Sequence, residues 1–166
     1  MTTVIAANEA QTIALGVCLS QHITPGSIVF LVGDLGAGKT TLVKGLVRGM
    51  GYEGSVTSPT YTLVEPYEFA EKTIYHFDLY RMKVSDELEM IGIRDMIHRR
   101  SVCIFEWPDR AADLLPACDG EINFHYHDDG RQIELRGKLF ENIGTELQTN
   151  LESIAEHEAV EGANSS

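Results

Sequence analysis

The sequence predicts an α/β fold, a three-layer sandwich in which a mixed sheet has parallel central strands with antiparallel hairpins beside them. Three observations support this prediction. Two continuous apolar runs, 27–32 and 101–105, have the composition of buried strands in a parallel sheet. Between them, residues 40–50 carry apolar side chains at helical spacing. Elsewhere, apolar and polar residues alternate on paired segments, which is typical of hairpins.

The N-terminal half is predicted element by element from local signals. Residues 8–20 have the pattern of a helix, and Asn8 is suited to be its N-cap because its side chain can accept a backbone N–H. A Pro-Gly pair at 25–26 turns the chain into the first apolar strand. Residues 49–59 are polar and contain glycine, so a loop is expected there.

The C-terminal half is predicted to contain two hairpins with a helix between them. Segments 61–68 and 73–79 alternate and form the first predicted hairpin. Residues 85–97 have the spacing of a helix. Alternation over 122–135, interrupted by an Asp-Asp-Gly turn, predicts the second hairpin.

The length of the chain, 166 residues with 43% hydrophobic, suits one domain with a single core. We expect this domain to span residues 1–140. The remainder, 141–166, is predicted to be an acidic helix with a disordered end at 162–166. The helix is predicted because apolar residues recur at positions 143, 147, 151 and 154. No apolar run is as long as a membrane span, so we expect no entry into a membrane. The three cysteines are far apart and have no metal-ligand spacing, which is typical of reduced thiols, so we expect a cytoplasmic protein.

The formal net charge of −12 comes from 25 acidic and 13 basic residues. Six of the glutamates lie in residues 141–166, which contain no Lys or Arg. Binding of nucleic acid depends on Lys and Arg that neutralise phosphates. We therefore expect no strong direct binding of nucleic acid, and a role near RNA would need a protein partner that holds it.

Residues 33–40, Gly-Asp-Leu-Gly-Ala-Gly-Lys-Thr, match the phosphate-binding loop pattern G-x-x-x-x-G-K-[ST]. The glycines allow the backbone to point several N–H groups at a phosphate, and Lys39 brings a positive charge to the β and γ phosphates. The hydroxyl of Thr40 is suited to Mg²⁺. The loop lies between a predicted strand and a predicted helix, whose N-terminus favours anions. The sequence thus predicts a nucleotide site in a P-loop NTPase-like fold.

Two acids are candidates for the chemistry of this site. Glu106 directly follows the apolar run 101–105, where an acid in such folds binds the metal; the alternative is an ordinary surface acid at a strand end. Asp78 ends another strand-like segment. It would polarise the attacking water or reach Mg²⁺ through water, or it would simply pair with Arg81, and the residues alone leave these alternatives open.

The hydroxyl-rich segment 58–62, Ser-Pro-Thr-Tyr-Thr, lies in the predicted loop. Such a segment can close on a γ-phosphate as a switch does, although a polar turn into the hairpin is the simpler alternative. Trp107 follows Glu106 at the same edge, and it either belongs to the core or covers the nucleotide.

The order and spacing of five segments resemble the bacterial TsaE (YjeE) family, the small ATPase of tRNA threonylcarbamoyladenosine biosynthesis. These segments are the phosphate loop at 33–41, Ser-Pro-Thr-Tyr at 58–61, His-Phe-Asp-Leu-Tyr-Arg at 76–81, Gly-Ile-Arg-Asp at 92–95 and Glu-Trp-Pro at 106–108. A phosphate loop alone fits many families, whereas the third and fifth segments do not. The resemblance extends from about residue 8 to about residue 137.

The resemblance implies that ATP and Mg²⁺ are the cofactors. Thr40 and Glu106 would ligate the metal, and Asp78 would serve the catalytic water or the metal shell, with Lys39 as a further catalytic residue. The phosphates would be held by Gly36, Ala37, Gly38, Lys39, Thr40 and Thr41.

Three further positions lie where the family contacts nucleotide. They are Glu9 in the first helix, Asp109 after the Trp-Pro pair and Arg131 in the second hairpin. The resemblance also places Thr60 in the switch-like loop and Trp107 at a functionally sensitive edge.

The implied partners are TsaD, the threonylcarbamoyl transferase subunit, and its companion TsaB. The ATPase of the family is weak alone and is raised by these partners, and its hydrolysis supports turnover of the transferase complex. The sequence shows no evident arginine finger, which agrees with a site that a partner completes.

Three other functions use the same loop. A small-molecule kinase needs an arginine-rich lid over the acceptor, which the sequence does not show. A GTPase needs a guanine-reading Asn-Lys-x-Asp or Thr-Lys-x-Asp segment, and none is present. A non-hydrolysing nucleotide switch, rigidified by its ligand for docking, remains an alternative.

Overall fold

A computed structural model describes residues 1–144 and 147–153 of the chain. The strands in these ranges are β1 (Thr2–Ala6), β2 (Ile28–Val32), β3 (Val64–Glu68), β4 (Thr73–Asp78), β5 (Ser101–Glu106), β6 (Gly120–His127) and β7 (Gly130–Arg136). The helices that precede the C-terminal segment are α1 (Glu9–Leu19), α2 (Lys39–Gly49), α3 (Asp86–Met90) and α4 (Ile93–Met96). Short 3₁₀ turns lie at Pro108–Ala111 and Lys138–Phe140.

The strands form one sheet in the order β1-β7-β6-β2-β5-β4-β3. The four central strands are parallel, because β2 pairs in parallel with both β5 and β6, and β5 pairs in parallel with β4. Antiparallel pairs complete both sides, with β6–β7 and β7–β1 on one side and β4–β3 on the other. This arrangement confirms the predicted fold class.

Helices cover both faces of the sheet, which makes the three layers. One cluster of buried residues joins α1 and α2 to the sheet, through side chains such as Leu15 and Leu42. The second lies on the opposite face and includes Leu88 of α3 and Ile93 of α4. The central strand β5 is buried at all six residues, as its continuous apolar sequence predicts.

Glycines let α1 and α2 approach until their backbones touch. A Cβ added to Gly16 would meet the backbone of α2 at Leu42, and a Cβ added to Gly45 would meet the carbonyl of Ile13 in α1. One turn further along α2, a Cβ at Gly49 would meet the side chain of Ser20. This glycine seam (Gly16, Gly45 and Gly49) fixes the helix that follows the phosphate loop closely against α1.

The predicted start of α1 is confirmed in detail. The side chain of Asn8 accepts a hydrogen bond from the backbone N–H of Gln11 at 2.9 Å, as an N-cap does. In return, the Gln11 side chain accepts from the N–H of Ala7 at 2.8 Å. Two of the N–H groups at this helix start are therefore satisfied by side chains.

Strand β1 was not predicted from the sequence. It is an edge strand that pairs with β7 from Thr2↔Leu135 to Ala6↔Arg131. Only Val4 and Ala6 are buried in it, and its assignment as a strand depends on pairing with β7, which is distant in sequence.

The single helix predicted over 85–97 is wrong, because the segment forms two short helices, α3 and α4. Gly92 separates them with a φ of +81°, a left-handed conformation that a continuous helix cannot contain.

The first strand of the predicted hairpin begins at Val64, three residues after its predicted start. Leu63 has a φ of +64°, which ends the extended backbone on its N-terminal side.

The edge strand β3 contains a proline, Pro66, which pairs with Tyr75 of β4. Proline has no N–H to donate, so it is tolerated in a sheet where its nitrogen faces away from the neighbouring strand. The outer side of β3 therefore lacks one of the donors that a further strand would need.

The C-terminal segment is described for residues 147–153, which are helical. Ile143, Leu147 and Leu151 are buried and belong to the main core cluster, as the predicted spacing requires. Position 154 and the predicted disordered end at 162–166 lie outside the described residues, and the boundary at residue 140 stays a prediction. Within the described ranges, none of the helices has the length and apolar character needed to cross a bilayer.

Candidate functional site

The candidate residues meet at the carboxyl edge of the parallel strands. The phosphate loop follows β2, Asp78 ends β4 and Glu106 ends β5. Asp78 and Glu106 are register partners across the β4–β5 pair. Because parallel strands end at the same edge, the two acids and the loop share one site, which is where ligands bind in open α/β sheets.

The phosphate loop depends on glycines in left-handed conformations. Gly36 has a φ of +76° and Gly38 a φ of +105°, which residues with a Cβ rarely adopt. Gly38 is also the N-cap of α2 and offers no side-chain cap to the first turn. The backbone N–H groups at this helix start therefore remain available to an anion, whose charge the helix dipole favours.

Lys39 is almost entirely buried, with 4% of its surface exposed. Its Nζ donates to the carbonyl oxygens of Gly33 at 2.6 Å and Asp34 at 2.8 Å. The ammonium also lies 4.5 Å from the ring centroid of Trp107. Burial lowers the pKa of Lys39 below its ordinary value of 10.5, although the carboxylate of Glu106 acts in the opposite direction. The loop thus holds the lysine beside the place where phosphates would bind.

Glu106 lies at the centre of a buried set of hydrogen bonds. Its Oε1 accepts from the hydroxyl of Thr40 at 2.8 Å and lies 2.8 Å from Nε2 of His76. His76 is fully buried and Glu106 is 4% exposed. The predicted pair of Thr40 and Glu106 is therefore brought together, and His76 joins it from β4.

The donor set of Thr40 and Glu106 suits a hard cation. Mg²⁺ prefers oxygen ligands and is commonly held by one or two protein oxygens, substrate phosphates and water. Within the described ranges, no cluster of three or more His, Cys, Asp and Glu side chains would hold a metal alone. A cation at this hydroxyl–carboxylate pair would consequently need oxygens from a bound nucleotide and from water.

Asp78 holds the hydroxyl-rich loop. Its Oδ2 accepts from Ser58 at 2.9 Å and from Thr60 at 3.2 Å, and its Oδ1 accepts from the N–H of Tyr80 at 3.1 Å. Arg81, the alternative partner for this acid, instead lies with its guanidinium 4.6 Å from the ring centroid of Tyr61. The segment predicted to be switch-like is therefore docked on the predicted catalytic acid.

Two cavities flank the phosphate loop. The first, of about 330 Å³, lies toward the acids, and its lining includes Lys39, Thr40, Asp78, Arg81, Glu106 and Trp107. The second, of about 230 Å³, lies toward α1 and the β6–β7 hairpin, and its lining includes Glu9, Thr12 and Arg131. Residues 36–38 and Thr41 line both cavities. The loop therefore separates two compartments.

Glu9 and Arg131 both line the second cavity beside the loop, whereas Asp109 lines neither cavity. Arg131 donates to the carbonyl oxygens of Ala37 at 3.0 Å and Gly36 at 3.3 Å. Asp109 is exposed in the 3₁₀ turn and lines neither of the two cavities.

Sequence reasoning missed the roles of His76 and Tyr126. His76 has the same strand alternation as Ile74 and Asp78, so the pattern places it on one face of β4 without revealing its partner. Tyr126 continues the alternation of Phe124 but is 56% exposed. Its hydroxyl donates to the carbonyl of Leu35 at 3.2 Å, and its ring lies 4.4 Å from the guanidinium of Arg131. Tyr126 thus links the β6–β7 hairpin to the phosphate loop.

Comparison with known proteins gives a consistent result. A family model described as threonylcarbamoyl adenosine biosynthesis protein TsaE matches residues 6–133. The chain is 50% identical to the tRNA threonylcarbamoyladenosine biosynthesis protein TsaE of Haemophilus influenzae over 131 residues, which cover 79% of this chain and 82% of the relative. It is 33% identical to the Bacillus subtilis protein of the same name over 154 residues, covering 92% and 93%.

A solved structure extends the likeness to three dimensions. The crystal structure of YdiB from Bacillus subtilis superposes with a TM-score of 0.68 at 28% sequence identity. The match covers 94% of this chain and 95% of that one. The fold and the sequence therefore point to the same group of proteins.

Proposed function

Since this chain belongs to the TsaE family of tRNA threonylcarbamoyladenosine biosynthesis proteins, we propose that it is an Mg²⁺-dependent, ATP-binding protein with weak ATPase activity. It would act as an accessory subunit in the modification of adenosine 37 of tRNA, where it supports turnover of a TsaB–TsaD transferase complex. A cytoplasmic location is part of this proposal.

The observation that carries the proposal is the meeting of three groups at one edge of the sheet. Lys39 and Thr40 begin α2 at the loop, the Thr40 hydroxyl lies 2.8 Å from Glu106, and Asp78 is the register partner of Glu106. A hydroxyl–carboxylate pair suited to a cation, a cationic side chain and a second acid beside one phosphate loop are the parts that nucleotide hydrolysis requires.

Each residue has a role in this proposal. Residues 36–41 would hold the phosphates through backbone N–H groups, and Lys39 would offset their charge. Thr40 and Glu106 would hold Mg²⁺, which when bound neutralises charge on the β and γ phosphates. Asp78 would orient the attacking water.

The nucleotide would also reach the second cavity. Glu9 and Arg131 line it and would contact the base or the ribose. Asp109 is carried by the family resemblance alone, because its position lines neither cavity.

For Oδ2 of Asp78 to act on water, its loop contacts must change. Both carboxylate oxygens are engaged, Oδ2 by Ser58 and Thr60 and Oδ1 by the N–H of Tyr80. If the two hydroxyls turn toward a γ-phosphate, Oδ2 becomes free to accept a hydrogen bond from the attacking water and so to orient it. A slow release of this loop would keep the activity of the isolated protein weak, and a partner that moves the loop would raise it.

The direct test is ATP hydrolysis by the purified protein, alone and with purified TsaB and TsaD, each with and without Mg²⁺. We expect weak, Mg²⁺-dependent activity that rises when the pair is added. Hydrolysis that is absent under all four conditions would refute the ATPase proposal. Activity that does not change when TsaB and TsaD are added would refute the accessory role but not the nucleotide site.

A non-hydrolysing switch is the second candidate, and the docking of Ser58 and Thr60 on Asp78 favours it, because that contact links the loop to the site. In this case nucleotide binding alone would reposition the loop for a partner. Sustained tRNA modification with a non-hydrolysable ATP analogue would select this function. Arrest after one round would select hydrolysis.

A further inference from the structure

We propose that His76 is a positioning residue that fixes the carboxylate of Glu106 in the orientation needed to receive Mg²⁺. The inference rests on the proposed function, because it concerns the cation that Thr40 and Glu106 would hold. It adds a residue from β4 to a site otherwise built from the phosphate loop and β5.

The geometry around Glu106 leaves one carboxylate oxygen available. Both hydrogen bonds of its side chain, from Thr40 and with His76, involve Oε1. Within the described part of the chain, Oε2 has no hydrogen-bond partner. The carboxylate is therefore held at one oxygen, and Glu106 lines the cavity beside the loop.

The surroundings of the two ring nitrogens show which of them donates to Glu106. Nε2 faces the carboxylate, which can only accept, so Nε2 must carry a proton. Nδ1 is buried and has no hydrogen-bond partner among the described residues. The ring therefore donates through Nε2 to Glu106 Oε1.

The sheet holds His76 in a fixed position. His76 is fully buried on β4 and lies two residues before Asp78, on the same face of the sheet. Strands β4 and β5 are paired along their whole lengths. A donor held by the sheet restricts the rotamers of Glu106, as partners behind metal ligands do in other sites.

The test compares two substitutions of different hydrogen-bonding capacity. His76→Gln keeps an amide N–H at about the reach of Nε2, whereas His76→Leu removes the donor and keeps most of the volume. Binding of a non-hydrolysable ATP analogue is measured by calorimetry while Mg²⁺ is titrated, and again without Mg²⁺. We expect His76→Leu to raise the Mg²⁺ concentration at half-saturation about 10–100-fold. In His76→Gln this concentration should stay close to the wild-type value. Binding of the analogue without Mg²⁺ should be unchanged in both variants.

Val102→Ala is the matched control for lost packing. Val102 is fully buried on β5 and belongs to the core cluster on the α1–α2 face. Its substitution should lower the melting temperature without changing the Mg²⁺ midpoint. A midpoint shift in Val102→Ala as large as that in His76→Leu would show that general loosening explains the effect.

The outcomes separate this inference from the proposed function. If Mg²⁺ does not strengthen nucleotide binding in the wild type, the proposed cation site fails. If it does, and His76→Leu keeps the wild-type midpoint, only the role of His76 is refuted. Should His76→Leu not fold, His76→Asn replaces it, because its amide is too short to reach Glu106. An Asn variant with the same midpoint as the Gln variant would overturn the inference.

Discussion

Substitution of Gly45 by Ala tests whether the seam between α1 and α2 sets the position of the phosphate-loop helix. The added Cβ would lie 2.9 Å from the carbonyl carbon of Ile13 and 3.0 Å from Cα of Gly16, and closer still to the Ile13 oxygen. These are backbone atoms, which cannot rotate away as a flexible side chain does. The two helices must therefore separate.

Two opposing effects determine the size of the change. Overpacking costs about 1–3 kcal/mol, and contact with backbone atoms of α1 favours the upper end, about 3 kcal/mol. Alanine gains about 1 kcal/mol over glycine in helix propensity. The net loss is about 2 kcal/mol, which lowers the melting temperature of a domain of this size by about 4–8 °C.

Thermal and urea unfolding of the purified variant measure this change. Arg48→Ala, at an exposed position of the same helix, is the control and should change the free energy of unfolding by no more than about 0.5 kcal/mol. The displaced helix start should also weaken nucleotide binding. A Gly45→Ala protein that melts at or above the wild-type temperature would refute the reasoning, since propensity would then have outweighed the contact.

Three further predictions concern the site and the core. Lys39→Ala should abolish nucleotide binding, whereas Glu106→Ala should lose ATP turnover and keep part of the binding. Calorimetry measures the binding and a phosphate-release assay measures the turnover. Full turnover in either variant would contradict the assigned roles. Arg131→Met should weaken nucleotide binding about three- to tenfold, because two hydrogen bonds from a charged donor to the loop are lost in a partly exposed setting. Burial raises the pKa of the Cys103 thiol to about 11, so the unfolded chain ionises first as the pH rises above 9. The free energy of unfolding should then fall between pH 9 and pH 11, and it should fall less in Cys103→Ala. Urea unfolding at several pH values measures this, and the same pH dependence in both proteins would count against the prediction.

The sequence predicted those elements whose signal is local. The central strands are buried on both faces, so β2 and β5 appear as continuous apolar runs, and Asn8 caps its helix through atoms three residues away. Strand β1 could not be predicted in this way because pairing with β7, distant in sequence, is what makes it a strand. The helical spacing over 85–97 was correct as a pattern, yet the pattern cannot show that Gly92 adopts a left-handed conformation.

The same distinction applies to the site. The loop motif specifies Lys39 and Thr40, and the strand-end positions point to Asp78 and Glu106, so these four could be named before the fold was known. The role of His76 depends on a contact across thirty residues of sequence, which alternation along β4 does not encode. For Asp109, by contrast, the family resemblance implies contact with nucleotide, but the residue lines neither cavity.

The proline in β3 has a consequence for how this protein can associate. An open sheet edge is a template for another extended chain, and proteins commonly protect such edges. Pro66 interrupts the row of donors on the outer side of β3, and acidic Glu65 and Glu68 lie in the same short strand. A protein that engages this side of the molecule must therefore recognise side chains, because the backbone does not offer it an uninterrupted ladder to extend.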